Sequence, residues 1–113
     1  MSKRDEKLAH YREFIISHNL TIDDDLLVKV TVGLGPSIYN KDAELIACSS
    51  DSELDTVKEN FLKKKLQLTL SDEELTQSIK DVCQEIGSSV KNKYRAVFYT
   101  MLVNKFDKQS VYA

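Results

Sequence analysis

The segment KNKYRAVFYTML, residues 91–102, is the stretch of this sequence that decides the fold. With its flanks it predicts a final helix over residues 89–106, because apolar side chains recur there at helical spacing. At about 100° per residue these side chains cover more than half of the helix circumference. They are Val90, Tyr94, Val97, Phe98, Tyr99, Met101, Leu102, Val103 and Phe106. A helix this apolar is normally buried on most sides, so we expect the other helices to pack around it.

Arg95 is the exception inside this segment. It projects towards the apolar side, near Tyr99, and lies off the narrow polar stripe formed by Lys93, Thr100 and Asn104. A buried guanidinium needs a partner, because leaving it uncompensated is strongly destabilising. One interpretation is structural: an ion pair with a carboxylate from another helix, or a stem packed over Tyr99 with its head in water. The other is contact with an anionic ligand or a partner chain. The sequence leaves both open.

Local start and stop signals predict helices in the rest of the chain. A first helix over residues 3–18 places Leu8, Tyr11, Phe14 and Ile15 on one face. Ser50-x-x-Glu53 and Ser71-x-x-Glu74 are capping boxes, and each opens a helix. The first of these helices extends to about residue 66. The second carries an apolar stripe closed by Gly87, formed by Leu75, Ile79, Val82, Cys83 and Ile86.

Residues 24–33 are ambiguous between strand and helix. Val28, Val30 and Val32 alternate with polar residues, which is typical of a strand. A lone strand would leave its backbone groups unpaired, however, and no partner strand is evident, so we favour a helix. Gly35 and Pro36 then end it, because the residue before proline is disfavoured in the α region. We expect a further short helical turn over residues 42–47.

Size and composition fit one domain over residues 1–113. The chain has a mass of 12.9 kDa, is 42% hydrophobic and 30% charged, and contains three glycines and one proline. With so few turn formers, helices are favoured over many short strands. We therefore expect an all-α single compact domain of about five helices, packed around a largely buried C-terminal helix.

Charge, hydropathy and cysteine spacing limit the classes of protein to which this chain can belong. The net charge is −2, no apolar run is long enough for a membrane span, and the N-terminus lacks the apolar region of a signal peptide. Cys48 and Cys83 show no metal-ligand spacing. His10 and His18 lie too far apart, and on different faces of the first helix, to share a metal; His18 is expected to be packed or hydrogen-bonded. We expect a cytoplasmic protein with reduced thiols, no membrane association, no metal and no cofactor.

The distribution of charge suggests a candidate basic surface. Residues 21–60 carry three basic and nine acidic side chains, whereas residues 87–113 carry five basic and one acidic. Solvated faces that attract each other within the fold explain this asymmetry. The alternative is a face for nucleic acid or another anionic partner. Its residues would be Lys63, Lys64, Lys65, Lys91 and Lys93, together with Arg95.

Two blocks, GPSIYNKDAE and KYRAVFY, carry a family resemblance. The chain from about residue 26 onward resembles a small uncharacterised family of bacterial proteins, a domain of unknown function. The resemblance implies a single-domain bacterial protein, and it brings no activity, cofactor or catalytic residue with it.

These observations favour a non-catalytic protein-interaction or regulatory module. Its partner would be an unidentified protein or a second copy of the chain. The alternative is a nucleic-acid-binding accessory protein, although we do not expect nucleic acid as the partner. No nucleophile, acid–base pair or metal set emerges, so an enzyme ranks third. A deep pocket lined by Arg95, Tyr39 and a carboxylate would instead indicate an enzyme. Arg95, Tyr39 and Tyr99 are the candidates for a binding site or a structural ion pair.

Overall fold

Helices make up most of residues 3–87, 90 and 92–112, the part of the chain that the computed structural model describes. The α-helices are α1 (Lys3–Ser17), α2 (Asp24–Leu34), α3 (Lys41–Glu44), α4 (Asp51–Thr56), α5 (Asp72–Ile86) and α6 (Arg95–Lys105). Helix α4 continues as a π-helix over Val57–Lys65, and 3-10 helices cover Gly35–Tyr39 and Gln109–Tyr112. Two short strands, β1 (Leu45–Ala47) and β2 (Asn92–Tyr94), form an antiparallel ribbon. The expected all-α fold is confirmed.

Helix α6 lies at the centre of the packing. It contacts α1, α2, α3 and α5. Its buried residues are Ala96, Val97, Phe98, Tyr99, Thr100, Leu102 and Val103. One face joins the larger core cluster through Phe98 and Leu102, and another joins a smaller cluster through Ala96 and Val97. The expectation of a largely buried C-terminal helix is therefore confirmed.

Both capping boxes open helices, as the sequence predicts. The Oγ of Ser50 accepts the Glu53 N–H at 3.4 Å, and the Oγ of Ser71 accepts the Glu74 N–H at 3.2 Å. The Glu53 side chain makes a longer-range contact, because its Oε2 accepts the Ala47 N–H at 2.6 Å. Glu53 thereby ties the start of α4 to the end of β1.

The segment after Asp23 is a helix, which resolves the ambiguity of its alternating valines. The Asp23 carboxylate caps α2 by accepting the Asp25 N–H at 3.0 Å. Four residues of α2 are buried: Leu26, Leu27, Val30 and Thr31. The helix ends at Leu34 because Gly35 adopts φ +63° and ψ −140°, a region that residues with a Cβ rarely occupy.

The ribbon corrects two expectations. Leu45 pairs with Tyr94, and Ile46 pairs with Lys93. The last helix therefore starts at Arg95 rather than at residue 89, and the turn expected over residues 42–47 is helical only to Glu44. The physical reason is that the backbone N–H and C=O groups of the two extended segments form hydrogen bonds with each other.

Helix α5 follows its predicted pattern closely. Its buried residues are Leu75, Ile79, Val82, Cys83 and Ile86, the stripe that the sequence predicts. Gly87 closes the helix at φ +132°. Every helix in the described residues is too short or too polar to cross a lipid bilayer.

The expectation of reduced thiols is wrong in this structure, because Cys48 and Cys83 form a disulfide. Helix α5 carries Cys83 to the edge of the core, and β1 ends one residue before Cys48, so their Cα atoms lie 6.1 Å apart. The two residues are separated by 35 positions in sequence, and their pairing follows from packing that no local pattern reveals.

Candidate functional site

Arg95, the residue that the sequence singles out, joins the start of α6 to the end of α3. Its Nε donates to the Ala43 carbonyl at 2.6 Å, and its Nη1 donates to the Tyr99 hydroxyl at 2.7 Å. Among the described residues no carboxylate forms an ion pair with it, and a backbone carbonyl takes the place of the carboxylate that one of the structural alternatives predicts. This carbonyl belongs to the last turn of α3, where carbonyls lack helical partners and the helix dipole favours a cation.

Tyr99 extends the Arg95 contact into the core. The guanidinium lies 5.4 Å from the centre of the Tyr99 ring, and that ring stacks on Phe61 with a centroid distance of 3.8 Å. Burial raises the pKa of the Tyr99 hydroxyl, and the neighbouring Arg95 charge opposes the rise. Phe61 lies in the π-helical segment, and π-helices are frequent at functional sites. Here the segment delivers an aromatic ring to the core, so the stack itself is structural.

Tyr39 lies away from this contact. It sits on the 3-10 helix after α2 with 47% of its surface exposed, and no described contact joins it to Arg95. Neither Tyr39 nor Arg95 lines any of the four cavities and grooves found among the described residues at α1, α2, α5 and α6.

A buried polar network that the sequence does not reveal links α1 to α3. Tyr11 is fully buried and donates to Glu44 at 3.1 Å, and Lys7 forms an ion pair with the same carboxylate at 2.8 Å. Burial raises the pKa of the Tyr11 hydroxyl well above its usual range, and the Glu44 charge adds to the rise. Tyr11 appears in the sequence only as a member of an apolar stripe, and nothing local indicates a partner 33 residues away.

The Lys63 part of the predicted basic surface is neutralised. Lys63 Nζ lies 2.9 Å from Glu59 and 2.6 Å from Asp72. The hydrogen bonds to these carboxylates raise the pKa of Lys63, and the same contact lowers the pKa of Asp72. Lys64 is exposed, and Lys65 lies over the Tyr112 ring at 5.1 Å from its centroid.

The structure corrects the prediction that Lys93 belongs to that basic surface. Lys93 is only 1% exposed, and its ammonium donates to the Val90 carbonyl. It faces the core because it lies directly opposite buried Ile46 in the ribbon, and opposed residues on neighbouring strands point to the same face. Burial lowers the pKa of Lys93. Lys91 lies outside the described residues. Among the described members of the predicted basic surface, Lys93 is buried and Lys63 is paired with carboxylates.

His18 matches the prediction that it is packed or hydrogen-bonded. Its ring stacks on Phe14 with centroids 4.1 Å apart, and its Nδ1 lies 2.9 Å from the Phe14 carbonyl oxygen. Because a carbonyl only accepts, Nδ1 carries the proton in this bond. His18 and His10 both line one shallow groove of about 350 Å³, which corrects their assignment to different faces. In the described residues no three histidine, cysteine or acidic side chains form a group that could hold a metal.

A small polar cavity of about 150 Å³ lies between the loop before α2 and the ends of α5 and α6. Its charged groups are Asp23, Glu85 and Lys105. Two of them already have contacts, because Asp23 caps α2 and Lys105 lies 3.9 Å from Asp81. Nothing in this cavity distinguishes it as a ligand site.

An apolar groove between α1 and α2 is the surface that the sequence reasoning missed. This α1–α2 groove has a volume of about 250 Å³ and is lined by Arg12, Ile15, Ile16, Ile22, Asp24 and Leu27. Ile16 is 76% exposed, the largest exposure among the large apolar side chains of the described residues. The sequence contains one indication of this groove. Ile15 and Ile16 are consecutive, and only Ile15 fits the inward face of α1, which leaves Ile16 facing outward.

A bidentate ion pair forms part of the wall of the α1–α2 groove. Arg12 Nε donates to Asp24 Oδ1 at 2.7 Å, and Arg12 Nη2 donates to Oδ2 at 3.0 Å. Both side chains are about half exposed. The hydrogen bond from Arg12 lowers the pKa of Asp24. The groove therefore combines an apolar floor with a solvent-accessible charged pair.

The fold and these contacts define a small all-α protein. The polar side chains of Arg95 and Tyr11 form hydrogen bonds within the chain, and the α1–α2 groove is an apolar surface open to solvent. A family model described as a protein of unknown function (DUF2853) matches residues 10–110. The chain therefore belongs to this family, which confirms the resemblance to an uncharacterised family. Comparison with curated proteins gives no match.

Proposed function

We propose that the chain is a non-catalytic protein-interaction module of the bacterial cytoplasm that binds a partner protein through the α1–α2 groove. The observation that carries this proposal is the 76% exposure of Ile16 beside an apolar groove. A single exposed apolar side chain is ordinary, but one that continues into a concave apolar surface provides an anchor for a partner.

The energetics of the groove suit a modest interface. Fully burying an isoleucine side chain contributes about 1.5–3 kcal/mol, so Ile16 alone could supply a large part of a weak interaction. Exposed ion pairs such as Arg12–Asp24 contribute about 0–1 kcal/mol to folding. Re-pairing Arg12 or Asp24 with a partner would therefore cost the fold little while adding specificity.

The internal bonds of the other candidates support a non-catalytic role. Arg95 is held by Ala43 and Tyr99, and Tyr11 is held by Glu44. A general acid, base or oxyanion donor needs a polar group directed at a substrate, whereas these groups are directed at one another.

Nucleic-acid binding is the weaker candidate. Exposed Lys64 and Lys65 favour it, but Lys63 is paired with two carboxylates and Lys93 is buried. Two neighbouring lysines offer few phosphate contacts, and affinity for nucleic acid scales with the number of such contacts.

Quantitative capture from native lysate tests the proposal, using the wild-type chain, Ile16→Asp and Val32→Asp. Val32 is a matched control because it is also apolar and exposed, at 48%, but it does not line the groove. We expect Ile16→Asp to lose a specific partner and Val32→Asp to retain it. Equal capture by all three proteins would contradict binding through the α1–α2 groove.

Sedimentation velocity over a range of concentrations identifies the kind of partner. If the partner is a second copy, the wild-type chain should dimerise and Ile16→Asp should remain monomeric. If it is another protein, both should sediment as monomers while only the wild-type chain captures that protein.

A further inference from the structure

The Cys48–Cys83 disulfide joins two parts of the fold that differ in how firmly they are held. Cys83 lies on α5 within the larger core cluster, and Cys48 is half-buried at the edge of that cluster. Cys48 directly follows β1, whose last residue is held by Glu53 through the Ala47 N–H. The disulfide therefore connects the end of a short strand to the apolar stripe of a long helix.

Helix α5 does not depend on this bond for its position. Its stripe is buried, and a chain of 113 residues can build a core without covalent staples. Strand β1 is different, because it has three residues and pairs only with the three residues of β2 in the described sheet. A two-stranded ribbon this short is marginal without support, and the disulfide adds to the support that β1 receives from buried Ile46 and the Glu53 bond.

The ribbon and the Arg95 contact form one continuous unit with the disulfide. Arg95 follows β2 directly and donates to Ala43, two residues before β1. We therefore expect a change in how β1 is held to reach the Arg95–Ala43 bond. Stable structural disulfides are rare in the reducing cytoplasm, where a bond of this kind is usually transient or redox-sensing.

We propose that Cys48 and Cys83 form a reversible redox site that exchanges with dithiols and disulfides, and that its reduction loosens the β1–β2 ribbon and the Arg95–Ala43 contact. This inference rests on the cytoplasmic location given in the proposed function, but it does not require the α1–α2 groove to bind a partner.

The exchange is balanced with a dithiol as reductant. One thiolate of the dithiol attacks the Sγ of Cys48, which belongs to the more exposed cysteine, and the S–S bond breaks. The electron pair remains on the Sγ of Cys83, which takes up a proton. The second thiol of the reductant then displaces Cys48, which also takes up a proton. The chain gains two electrons and two protons, and the reductant leaves as a disulfide; a small-molecule disulfide such as oxidised glutathione reverses the process.

Thiol trapping in the folded protein tests the chemistry. The oxidised chain is incubated with dithiothreitol in the absence of denaturant, alkylated with N-ethylmaleimide and weighed by mass spectrometry. We expect no label before reduction, two labels after it, and return to no label after treatment with oxidised glutathione. Reduction that requires denaturant, or thiols that oxidised glutathione does not rejoin, would overturn the proposal.

Hydrogen exchange tests the structural consequence and distinguishes a switch from a passive link. We expect amides of residues 45–48 and 92–95 to exchange at least about tenfold faster in the reduced chain, with α2 and α5 unchanged. The Cys48→Ala variant should match the reduced chain and should not respond to dithiothreitol. Unchanged exchange at both strands, or uniform acceleration across all helices, would overturn the proposed local switch.

Discussion

Arg95 donates its Nε–H to the carbonyl oxygen of Ala43 at 2.6 Å, across 52 positions of sequence. This contact explains why an arginine can lie inside an otherwise apolar segment. The acceptor is neutral and belongs to the backbone, so the bond depends on the position of α3 rather than on an acidic side chain. Because this acceptor carries no ionisable group, the structural interpretation predicts that the effect of replacing Arg95 on stability does not depend on pH.

Replacing Arg95 should destabilise the protein equally at pH 5 and pH 7. We expect Arg95→Ala to lower the free energy of unfolding by about 1–3 kcal/mol, since a charged hydrogen-bonding group is removed from two acceptors. Arg95→Lys should cost less, because an ammonium can reach one acceptor but does not reproduce the fork. Denaturant melts at both pH values measure the difference. A loss of stability confined to neutral pH would indicate a carboxylate partner. An Arg95→Ala protein as stable as the wild-type chain would contradict the structural role.

Replacing Lys93 should stabilise the protein at neutral pH. Burial lowers the pKa of Lys93 in the folded state below its ordinary value of 10.5. At pH values between the lowered pKa and 10.5, the unfolded chain therefore binds more protons than the folded chain. Stability linked to Lys93 therefore rises with pH through that window, and below it the folded state carries the cost of a buried charge. We expect Lys93→Met to raise the free energy of unfolding by about 1 kcal/mol at pH 7, with a smaller gain near pH 10.

The control for Lys93 is Lys64→Met, because Lys64 is exposed. This variant should change stability little at either pH. A Lys93→Met protein that is less stable than the wild-type chain at pH 7 would show that the bond to the Val90 carbonyl outweighs the cost of burial.

Gly35 should tolerate no side chain without loss of stability. Apart from Gly35 and its two chain neighbours, no heavy atom lies within 4 Å of the position that a Cβ would occupy, so the cost comes from the backbone at φ +63° and ψ −140° rather than from a clash. We expect Gly35→Ala and Gly35→Ser to lose similar amounts, about 1–3 kcal/mol, in thermal or denaturant melts. Pro36→Ala is the milder comparison, at about 1 kcal/mol or less, because it acts mainly through the unfolded chain. If Gly35→Ala reduced partner binding with an unchanged melting curve, the turn would instead be part of a binding site.

The chain should bind nucleic acids weakly and with strong sensitivity to salt. Only Lys64 and Lys65 of the predicted basic surface are exposed among the described residues. Fluorescence anisotropy with short single- and double-stranded DNA and RNA measures this binding at two salt concentrations. Submicromolar affinity at physiological salt, abolished by the paired Lys64→Glu and Lys65→Glu changes, would favour the nucleic-acid alternative.

Local signals account for the parts of the fold that the sequence predicts. Ser50, Ser71 and Gly87 mark helix ends within a few residues, and the α5 stripe follows from a period of about 3.6 residues. The helical state of α2 follows from a different argument, since a lone strand would leave its backbone unpaired. These features depend on neighbours in sequence, so a single chain reveals them.

The features that the sequence did not reveal depend on distant neighbours. Strands of three residues carry no measurable periodicity, so the sequence predicts helix at both β1 and β2 and places Lys93 on a polar stripe instead of in the core. The acceptor of Arg95 is a backbone carbonyl, which every residue possesses, and the disulfide joins residues 35 positions apart. Tyr11 and Glu44 meet for the same reason, through packing of α1 against the central helix.

Site-specific photo-crosslinking at position 16 tests the central claim, that the α1–α2 groove binds a partner protein, most directly. A photoreactive amino acid is placed at Ile16 in one protein and at Val32 in another, and crosslinked products from native lysate are identified by mass spectrometry. The proposal predicts one dominant protein adduct at position 16 that is absent at position 32, and that an excess of the unlabelled wild-type chain removes. Adducts of equal amount and identity at both positions, or none at position 16, would contradict it.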